Sequence, residues 1–294
     1  MFSRVRPRAV AHRPFALRRG KSIILVLAGL AALAVAVRVE AQFRRGGFRG
    51  FGNIGSGDIA TDKDFDGGFH FCRAWFRSDF RGDGGNWSVD YPRADINLSV
   101  RLSELTRTDV SMTNGEPNPL LIRFTDDALF RCPFVMMTEV GSAYIDEKEA
   151  ARLREYLLKG GFLWADDFWG TYAWEWWTAQ FSKVLPPTEY PIIDLPPNHP
   201  LFSAQFLVKK VPQIASINYW ASSGGDTSER GADSAVAHAR AVLDKHGNIM
   251  VLMTHNTDLG DSFEREADDP QYFYQMSVPG YAFGVNALLY ALTH

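Results

Sequence analysis

Three long apolar runs stand out along the chain, and polar residues follow each of them. They cover residues 133–138, 162–165 and 247–254. Runs of this length are typical of strands that are buried on both faces of a parallel sheet. The segment between the first two runs has helical spacing, with Asp146 at its start and Gly160-Gly161 at its end. Because a strand, a helix and a second strand form a crossover, we predict that these two strands are parallel.

Shorter patterns predict the remaining elements. An aromatic, nearly alternating pattern is typical of a strand, and apolar positions three and four apart indicate helices. We predict strands at 68–76 and 108–112, an extended piece at 215–220, and helices at 95–105, 173–184 and 281–292. Alternation of strands and helices favours an α/β fold with an open parallel sheet.

The first 41 residues have the three parts of a secretory signal. Seven Arg and Lys residues without an acid precede the apolar run 23–37, and Val39-Glu40-Ala41 offers small residues at the cleavage positions. The run has 15 residues, fewer than the roughly 20 of a membrane-spanning helix. We predict a signal peptide over 1–41, with an uncleaved signal anchor as the alternative. Both place the body in the periplasm or on the outer face of the cytoplasmic membrane.

Removing this segment changes the charge of the chain. It carries eight of the 31 Lys and Arg residues but one of the 34 acidic residues. The formal net charge is −3 for the whole chain and −10 for the remainder, which has 23 basic and 33 acidic residues. Such an acidic body disfavours binding to nucleic acid or anionic lipid. Glycine and arginine dominate 43–57, so we predict a flexible linker over 42–66 and a single α/β domain over 67–294.

Two cysteines, Cys72 and Cys132, remain in this body. Both lie near predicted strand starts, so a disulfide is geometrically possible if those strands are neighbours. An oxidising compartment permits the bond, but a disulfide needs a narrow geometry. We therefore expect two separate buried thiols.

Polar residues collect at the carboxyl ends of the three buried strands. In an open parallel sheet, ligands bind at this edge, beside the point where the strand order reverses. We therefore predict a candidate site there, with further candidates in the segment that follows the first strand. The edge residues are Glu139, Asp166, Asp167, His255, Asn256 and Asp258, and the secondary candidates are Asp90, Asp95 and Asn97.

Structural roles compete with a functional role at several of these positions. Acids after a strand often cap a helix, so capping and function fit Asp166 and Asp167 equally well. We expect Asp95 or Asn97 to cap the helix that begins there. The tryptophans of 164–177 are expected to pack in the core rather than stack on sugars. Two loop acids are expected to be solvated, namely Asp258 and Asp261.

Several signatures of enzymes are missing from the chain. It has no GxGxxG after the first strand, no P-loop, no GxSxG and no HExxH. Neither cysteine stands at a strand-to-helix elbow, where a nucleophile of the amidotransferase type is expected. We therefore predict no cofactor, and we favour a protein without catalytic activity.

Longer motifs resemble a bacterial family. The segments WSVDYPRADINLSVRLSELT, LFRCPFVMMTEVG, EAARLREYLLKGGFLWADDFWG and YAFGVNALLYALTH look like those of the domain of unknown function 4159 family, and the resemblance covers residues 68–294. It implies a flavodoxin-like open, mainly parallel sheet with helices on both faces, of the class I glutamine amidotransferase or trehalose-utilisation type. It implies no established activity. Family context implies envelope partners of a system with AAA ATPases and von Willebrand A-type domains.

Three functions are compatible with these patterns. We expect a non-catalytic module of the cell envelope that binds a ligand or a partner. The alternative is a hydrolase that acts on a carbohydrate or an amide, with paired carboxylates at the carboxyl edge as acid and base. A third hypothesis is a divalent metal site built from His255, Asp258 and an edge acid.

Overall fold

The computed structural model describes residues 58–294. The predicted signal segment and most of the predicted linker lie outside these residues. The strands are β1 Cys72–Trp75, β2 Arg77–Ser78, β3 Met112–Thr113, β4 Glu116–Pro117, β5 Leu120–Arg123, β6 Phe134–Met137, β7 Ala143–Tyr144, β8 Phe162–Ala165, β9 Ile192–Asp194, β10 His238–Leu243 and β11 Ile249–His255. The α-helices are α1 Arg93–Leu105, α2 Glu147–Leu158, α3 Gly170–Phe181, α4 Ile217–Ser223, α5 Leu259–Glu264, α6 Pro270–Tyr272 and α7 Val278–Thr293.

One large sheet organises the described residues. Its seven strands run in the order β5-β1-β6-β8-β11-β10-β9. The first five are parallel, and β10 and β9 extend the sheet with antiparallel pairs. Two-stranded pairs, β2 with β7 and β3 with β4, lie outside it. This architecture confirms the predicted α/β class with an open, mainly parallel sheet.

Both faces of the sheet are covered by helices. Successive side chains of a strand point to opposite faces, and the residues of β6 accordingly enter two different cores. Val135 and Met137 belong to the core that includes α2 and α3. Phe134 and Met136 belong to the core that includes α1 and α7. The strands therefore read as continuous apolar runs because each face has its own set of helices.

The predicted crossover is confirmed in detail. Asp146 accepts the backbone N–H of Glu149 and caps α2, and Gly160 ends this helix with a φ of 95°. A positive φ is a conformation that glycine adopts without steric cost. The helix returns the chain to β8, which pairs in parallel with β6. The helix cap, the apolar helix face and the terminating glycine thus all agree with the way in which this unit packs in the fold.

The strand order reverses between β1 and β6. After β1, the chain places β5 on one side of that strand and then β6, β8 and β11 on the other side. Counted over the five parallel strands alone, this is the 2-1-3-4-5 order of flavodoxin-like sheets, whose ligands bind beside the switch point. At the carboxyl edge, Glu139 and the glycine-rich loop 79–90 border this switch point.

Several short elements differ from the predictions. The segment predicted as extended at 215–220 instead lies mostly in α4, which Ser216 caps and Gly224 ends with a φ of 78°. The prediction was wrong because the cap and the glycine act locally, whereas the Pro, Gly and Ser content around them is typical of loops. Strands β5, β9 and β10 were not predicted. β5 and β9 have four and three residues, and unlike the equally short β6 and β8 they do not flank a capped helix that would identify them as strands of a crossover.

Cys72 and Cys132 form a disulfide, so the prediction of two separate thiols was wrong. Cys72 begins β1, and Cys132 stands just before β6. These strands are neighbours, and the two Cα atoms lie 6.2 Å apart, within the usual range for a disulfide. The sequence could not indicate the bond because the pairing of β1 with β6 is a property of the sheet order.

The segment 58–66, predicted as part of the linker, contacts the folded body. Ile59 pairs with Leu121 beside β5, and Asp66 accepts hydrogen bonds from Ser111 and His70. Across residues 58–294, no helix combines the length and the apolar character that a membrane crossing requires.

Candidate functional site

The carboxyl ends of β6, β8 and β11 lie side by side at one edge of the sheet. Met137 pairs with Ala165, and Ala165 pairs with Met253. The residues that follow these positions therefore meet at one place. The structure brings the predicted edge residues Glu139, Asp166, Asp167, His255, Asn256 and Asp258 to this carboxyl edge.

Strained backbone is concentrated here. Of the five non-glycine residues with positive φ among the described residues, Asn114 occupies a hairpin turn, and the other four belong to the edge. They are Asp90, Glu139, Asp167 and Asn256, with φ between 56° and 62°. Such conformations cost roughly 1–3 kcal/mol each and cluster at functional sites. The surrounding contacts must therefore hold these four side chains in their orientations.

Asp166 caps a helix that is distant in sequence. One carboxylate oxygen accepts the Thr254 hydroxyl hydrogen. The other accepts the backbone N–H groups of Leu259 and Gly260 at 2.9 and 3.2 Å, in the first turn of α5. Burial nevertheless raises the pKa of Asp166 to about 7. Capping is thus the role that the geometry gives to Asp166, although the helix is α5 rather than the one that follows β8.

Asn256 and an acid from another segment hold the start of α3. The Asn256 side-chain oxygen accepts the Gly170 N–H at 2.8 Å, and its amide donates to Val236. Asp233 accepts both the N–H and the hydroxyl of Thr171. Asp167 does not cap this helix; it accepts the Trp169 indole N–H at 3.0 Å.

His255 is a neutral, fully engaged side chain. Its ring lies 4.9 Å from the Phe168 ring and 5.1 Å from the Trp174 ring. Arg240 donates to Nδ1, so Nε2 carries the hydrogen that is donated to the Gly170 carbonyl, each at 3.0 Å. Burial, followed by the charge of Arg240, lowers the pKa of His255 to about 4. The ring has no free nitrogen for a metal ion.

Three buried carboxylates form the centre of the edge. Oxygens of Asp90, Asp167 and Asp258 lie within 4.8 Å of one another, and each residue is at most 7% exposed. Burial raises the pKa of all three carboxyls, and neighbouring carboxylates raise it further. Asp90 also belongs to a second group of the same size, with Asp261 and Glu264. We call Asp90, Asp167 and Asp258 the acid cluster.

Asp95 and Asn97 do not cap α1, and the prediction that they would was wrong. The helix begins at Arg93 and has no side-chain cap. The Asp95 carboxylate forms a fully buried ion pair with Arg73 of β1. Asn97 donates to the Phe263 carbonyl at 2.8 Å. A charged residue within an apolar strand requires a buried partner, and this demand outweighs the local preference of Asp95 for capping.

Glu139 is the half-buried acid at the switch point. It follows β6 in a left-handed conformation and precedes the 3₁₀ turn Val140–Ser142. Burial, and next to it the charge of Asp83, raises the pKa of Glu139 to about 7, although a hydrogen bond from Gly85 opposes this shift. A Cβ atom added at Gly84 would collide with its carboxylate. The glycines of loop 79–90 therefore let the backbone fill the crevice above Glu139.

Two exposed aromatic side chains lie on or beside loop 79–90. Phe80 is 96% exposed and Tyr172 is 56% exposed. The Tyr172 hydroxyl donates to the Arg81 carbonyl, and the Arg81 guanidinium lies 5.9 Å from both the Phe80 and the Trp176 rings. We call Phe80, Arg81, Tyr172 and Trp176 the edge surface.

Two further expectations have clear outcomes. The expected solvation of Asp258 and Asp261 was wrong, because each residue is 5% exposed. Asp258 caps α5 through the N–H of Asp261, whose own carboxylate accepts the Ile217 N–H at 2.6 Å. The tryptophans mainly pack in the core as expected, with three buried at 164, 169 and 177.

Sequence reasoning missed residues whose partners are distant. Arg73 carried a usable signal, since an arginine inside the aromatic strand pattern must be paired if it is buried. Asp233 and Glu264 carried none, because both lie in loop-like or charged segments. Their proximity to Thr171 and Asp90, respectively, follows from the assembled fold.

Comparison with known proteins gives one finding. The family model described as Domain of unknown function (DUF4159) matches residues 77–292. Among curated proteins, none matches the chain.

Proposed function

The chain belongs to the DUF4159 family of domains of unknown function, and we propose that it is a non-catalytic module of the cell envelope that binds a partner through the carboxyl edge of its sheet. The observation that carries the proposal is the edge surface. Large exposed aromatic residues beside an arginine are typical anchors of protein interfaces. Phe80 is almost fully exposed, so its burial by a partner would remove much apolar area from water.

The state of the edge acids supports binding rather than catalysis. Both oxygens of Asp166 accept hydrogen bonds, and both ring nitrogens of His255 are engaged. Gly84 and Gly85 of loop 79–90 pack directly against the Glu139 carboxylate, which leaves little room for a small substrate there. Because their hydrogen bonds hold these side chains in place, they are better suited to supporting the edge surface than to taking part in a reaction.

Export and the nature of the partner belong to the same proposal. A disulfide between Cys72 and Cys132 is typical of proteins in oxidising compartments, which supports the signal segment inferred from residues 1–41. The partner is accordingly an envelope protein, and the family context favours a system with AAA ATPases and von Willebrand A-type domains. The 2-1-3-4-5 strand order and the left-handed Glu139 elbow support kinship with the amidotransferase-like fold.

Capture from an envelope fraction tests the proposal. We expect the full chain to retain a discrete partner, and the double variant Phe80→Ser, Tyr172→Ala to lose at least about tenfold of it, since interface anchors carry most binding energy. The matched control is Leu158→Ala, which changes a 50% exposed side chain at the end of α2. Equal retention by the double variant and the wild type, or equal loss by the control, would contradict the proposal.

A hydrolase remains the second candidate because of Glu139. It is the edge acid that is half-buried on a strained elbow, and a pKa of about 7 suits a general acid near neutral pH. Turnover of a glycan or amide substrate by the wild type, abolished by Glu139→Gln, would favour this function. Absence of turnover across both substrate classes would rule it out.

A further inference from the structure

The acid cluster needs an explanation that partner binding does not supply. Asp90, Asp167 and Asp258 come from three separate segments, namely loop 79–90, the end of β8 and the start of α5. Each is at most 7% exposed, and their oxygens lie within 4.8 Å of one another. Carboxylates this close repel one another strongly away from water. A positive charge at their centre would remove this repulsion.

Hydrogen bonds account for only part of the cluster. One oxygen of Asp258 accepts the Asp261 N–H, and one oxygen of Asp167 accepts the Trp169 indole. Asp90 Oδ2, in contrast, is buried and has no hydrogen-bond partner within residues 58–294. Buried polar atoms are almost always paired, and an unpaired one calls for an ion, a water molecule or another ligand. The unpaired oxygen thus points to a ligand independently of the charge of the cluster.

Within residues 58–294, no Lys or Arg side chain forms an ion pair with the acid cluster. Among the described residues, Arg73 is the one arginine or lysine that is buried. Its Nε and Nη2 donate to Asp95, and although its charge also acts to lower the pKa of Asp90, which burial raises, Arg73 forms no ion pair with the three acids of the cluster. In the described part of the chain, Asp90, Asp167 and Asp258 therefore have no paired cation.

We propose that Asp90, Asp167 and Asp258 bind a hard divalent cation of the Ca²⁺, Mg²⁺ or Mn²⁺ class. Oxygens about 2.0–2.6 Å from such an ion are separated by at most about 5 Å, so oxygens that lie within 4.8 Å of one another can share one ion. Ligands that are all carboxylates favour these ions over zinc or copper. His255, which the sequence placed in a metal site, is not a ligand because Arg240 and Gly170 occupy its nitrogens.

The cation would have a mechanical consequence. Asp90 lies in loop 79–90, which also carries Phe80 and Arg81 of the edge surface, and a shared ion ties this loop to β8 and α5. This inference goes beyond the proposed function: the ion can bind whether or not the edge surface has a partner. A metal titration of the purified protein tests the ion site, and partner capture tests the edge surface, so one experiment can fail while the other succeeds.

Titration of the full chain after removal of metal tests the site. Separate arms use CaCl₂, MgCl₂ and MnCl₂, with isothermal calorimetry for stoichiometry and thermal unfolding for stabilisation. We expect one ion per chain in at least one arm. At about 100 times its Kd, this ion should raise the melting temperature by about 5–10 °C. Absence of binding and of stabilisation in all three arms would overturn the proposal.

Two variants locate the ion. Asp167→Asn removes a ligand of the proposed site and should weaken binding by more than about tenfold, as loss of metal-site residues does. Glu264→Gln is the matched control, because Glu264 shares only the second acidic group with Asp90, and it should bind as the wild type does. If Glu264→Gln loses the ion while Asp167→Asn keeps it, the assignment is wrong.

A folding defect would not hide the result. Replacing a carboxylate by an amide relieves repulsion, so we expect metal-free Asp167→Asn to unfold at no lower temperature than the metal-free wild type. Asp90→Asn provides a second variant with the same expected loss of binding. Binding by both folded variants with wild-type affinity would also overturn the proposal.

Discussion

Asp166 and Asp167 are adjacent in the chain, yet their side chains serve different parts of the molecule. Asp166 holds the first turn of α5, whereas Asp167 belongs to the acid cluster. The polar character of the strand ends could be predicted from the apolar runs before them. The partners of Asp167 could not be predicted, because Asp90 and Asp258 come close to it only in the folded protein, where loop 79–90 lies over the sheet edge. The solvation expected for Asp258 fails for the same reason.

The pH dependence of stability should contain a contribution from His255. Its folded pKa of about 4 lies below the usual value of about 6.5 in an unfolded chain, so the unfolded state binds the proton first as pH falls. The contribution of His255 is complete above about pH 6.5 and decreases down to about pH 4. Arg240, His238 and Asp233 are the charged or titratable groups that influence this ring.

Substitution by glutamine isolates this contribution. His255→Gln can still accept from Arg240 and donate to the Gly170 carbonyl, but it does not titrate. Between pH 7 and pH 4.5, we expect the wild type to lose about 2 kcal/mol more of its free energy of unfolding than the variant loses. Urea unfolding at the two pH values measures the difference, and equal losses would show that His255 does not titrate as described.

Among the helices and strands, those that several local signals identify together are the ones that the sequence predicts. The unit from β6 through α2 to β8 was predicted almost to the residue because an N-cap, an apolar face and a glycine stop agree. Strands β5 and β9 escaped prediction because, unlike β6 and β8, they have no capped helix beside them that marks them as strands of a crossover. The strand order itself, and with it the switch point at Glu139, was available only as an implication of the family resemblance.

The disulfide joins the start of β1 to the segment just before β6 and should stabilise the fold. The bond joins two residues that are 60 positions apart. It therefore lowers the conformational entropy of the unfolded chain, which stabilises the folded state. We expect Cys72→Ser, Cys132→Ser to lower the free energy of unfolding by about 2–4 kcal/mol. Urea unfolding of the wild type with and without reductant is the companion measurement. Identical urea midpoints with and without reductant would show that the disulfide does not stabilise the fold.

At the scale of the whole molecule, the charge is acidic and the proposed binding surface lies at the carboxyl edge of the sheet. Residues 42–294 carry a formal charge of −10, and this excess includes the acid cluster beneath the carboxyl edge. The edge surface lies next to it, on loop 79–90 and α3. Sequence patterns predicted the α/β class and the edge, but not the exposure of Phe80, because nothing local separates it from the buried aromatics of the neighbouring strand.

Site-specific photo-cross-linking in intact cells tests most directly whether the carboxyl edge is the binding surface. A photoreactive phenylalanine analogue replaces Phe80 in one form of the full chain and Leu158 in the other, both at exposed positions. We expect a discrete cross-linked envelope protein from position 80 and none from position 158. Cross-links from position 158 alone, or no cross-link from position 80 under conditions in which the partner is captured, would contradict this expectation.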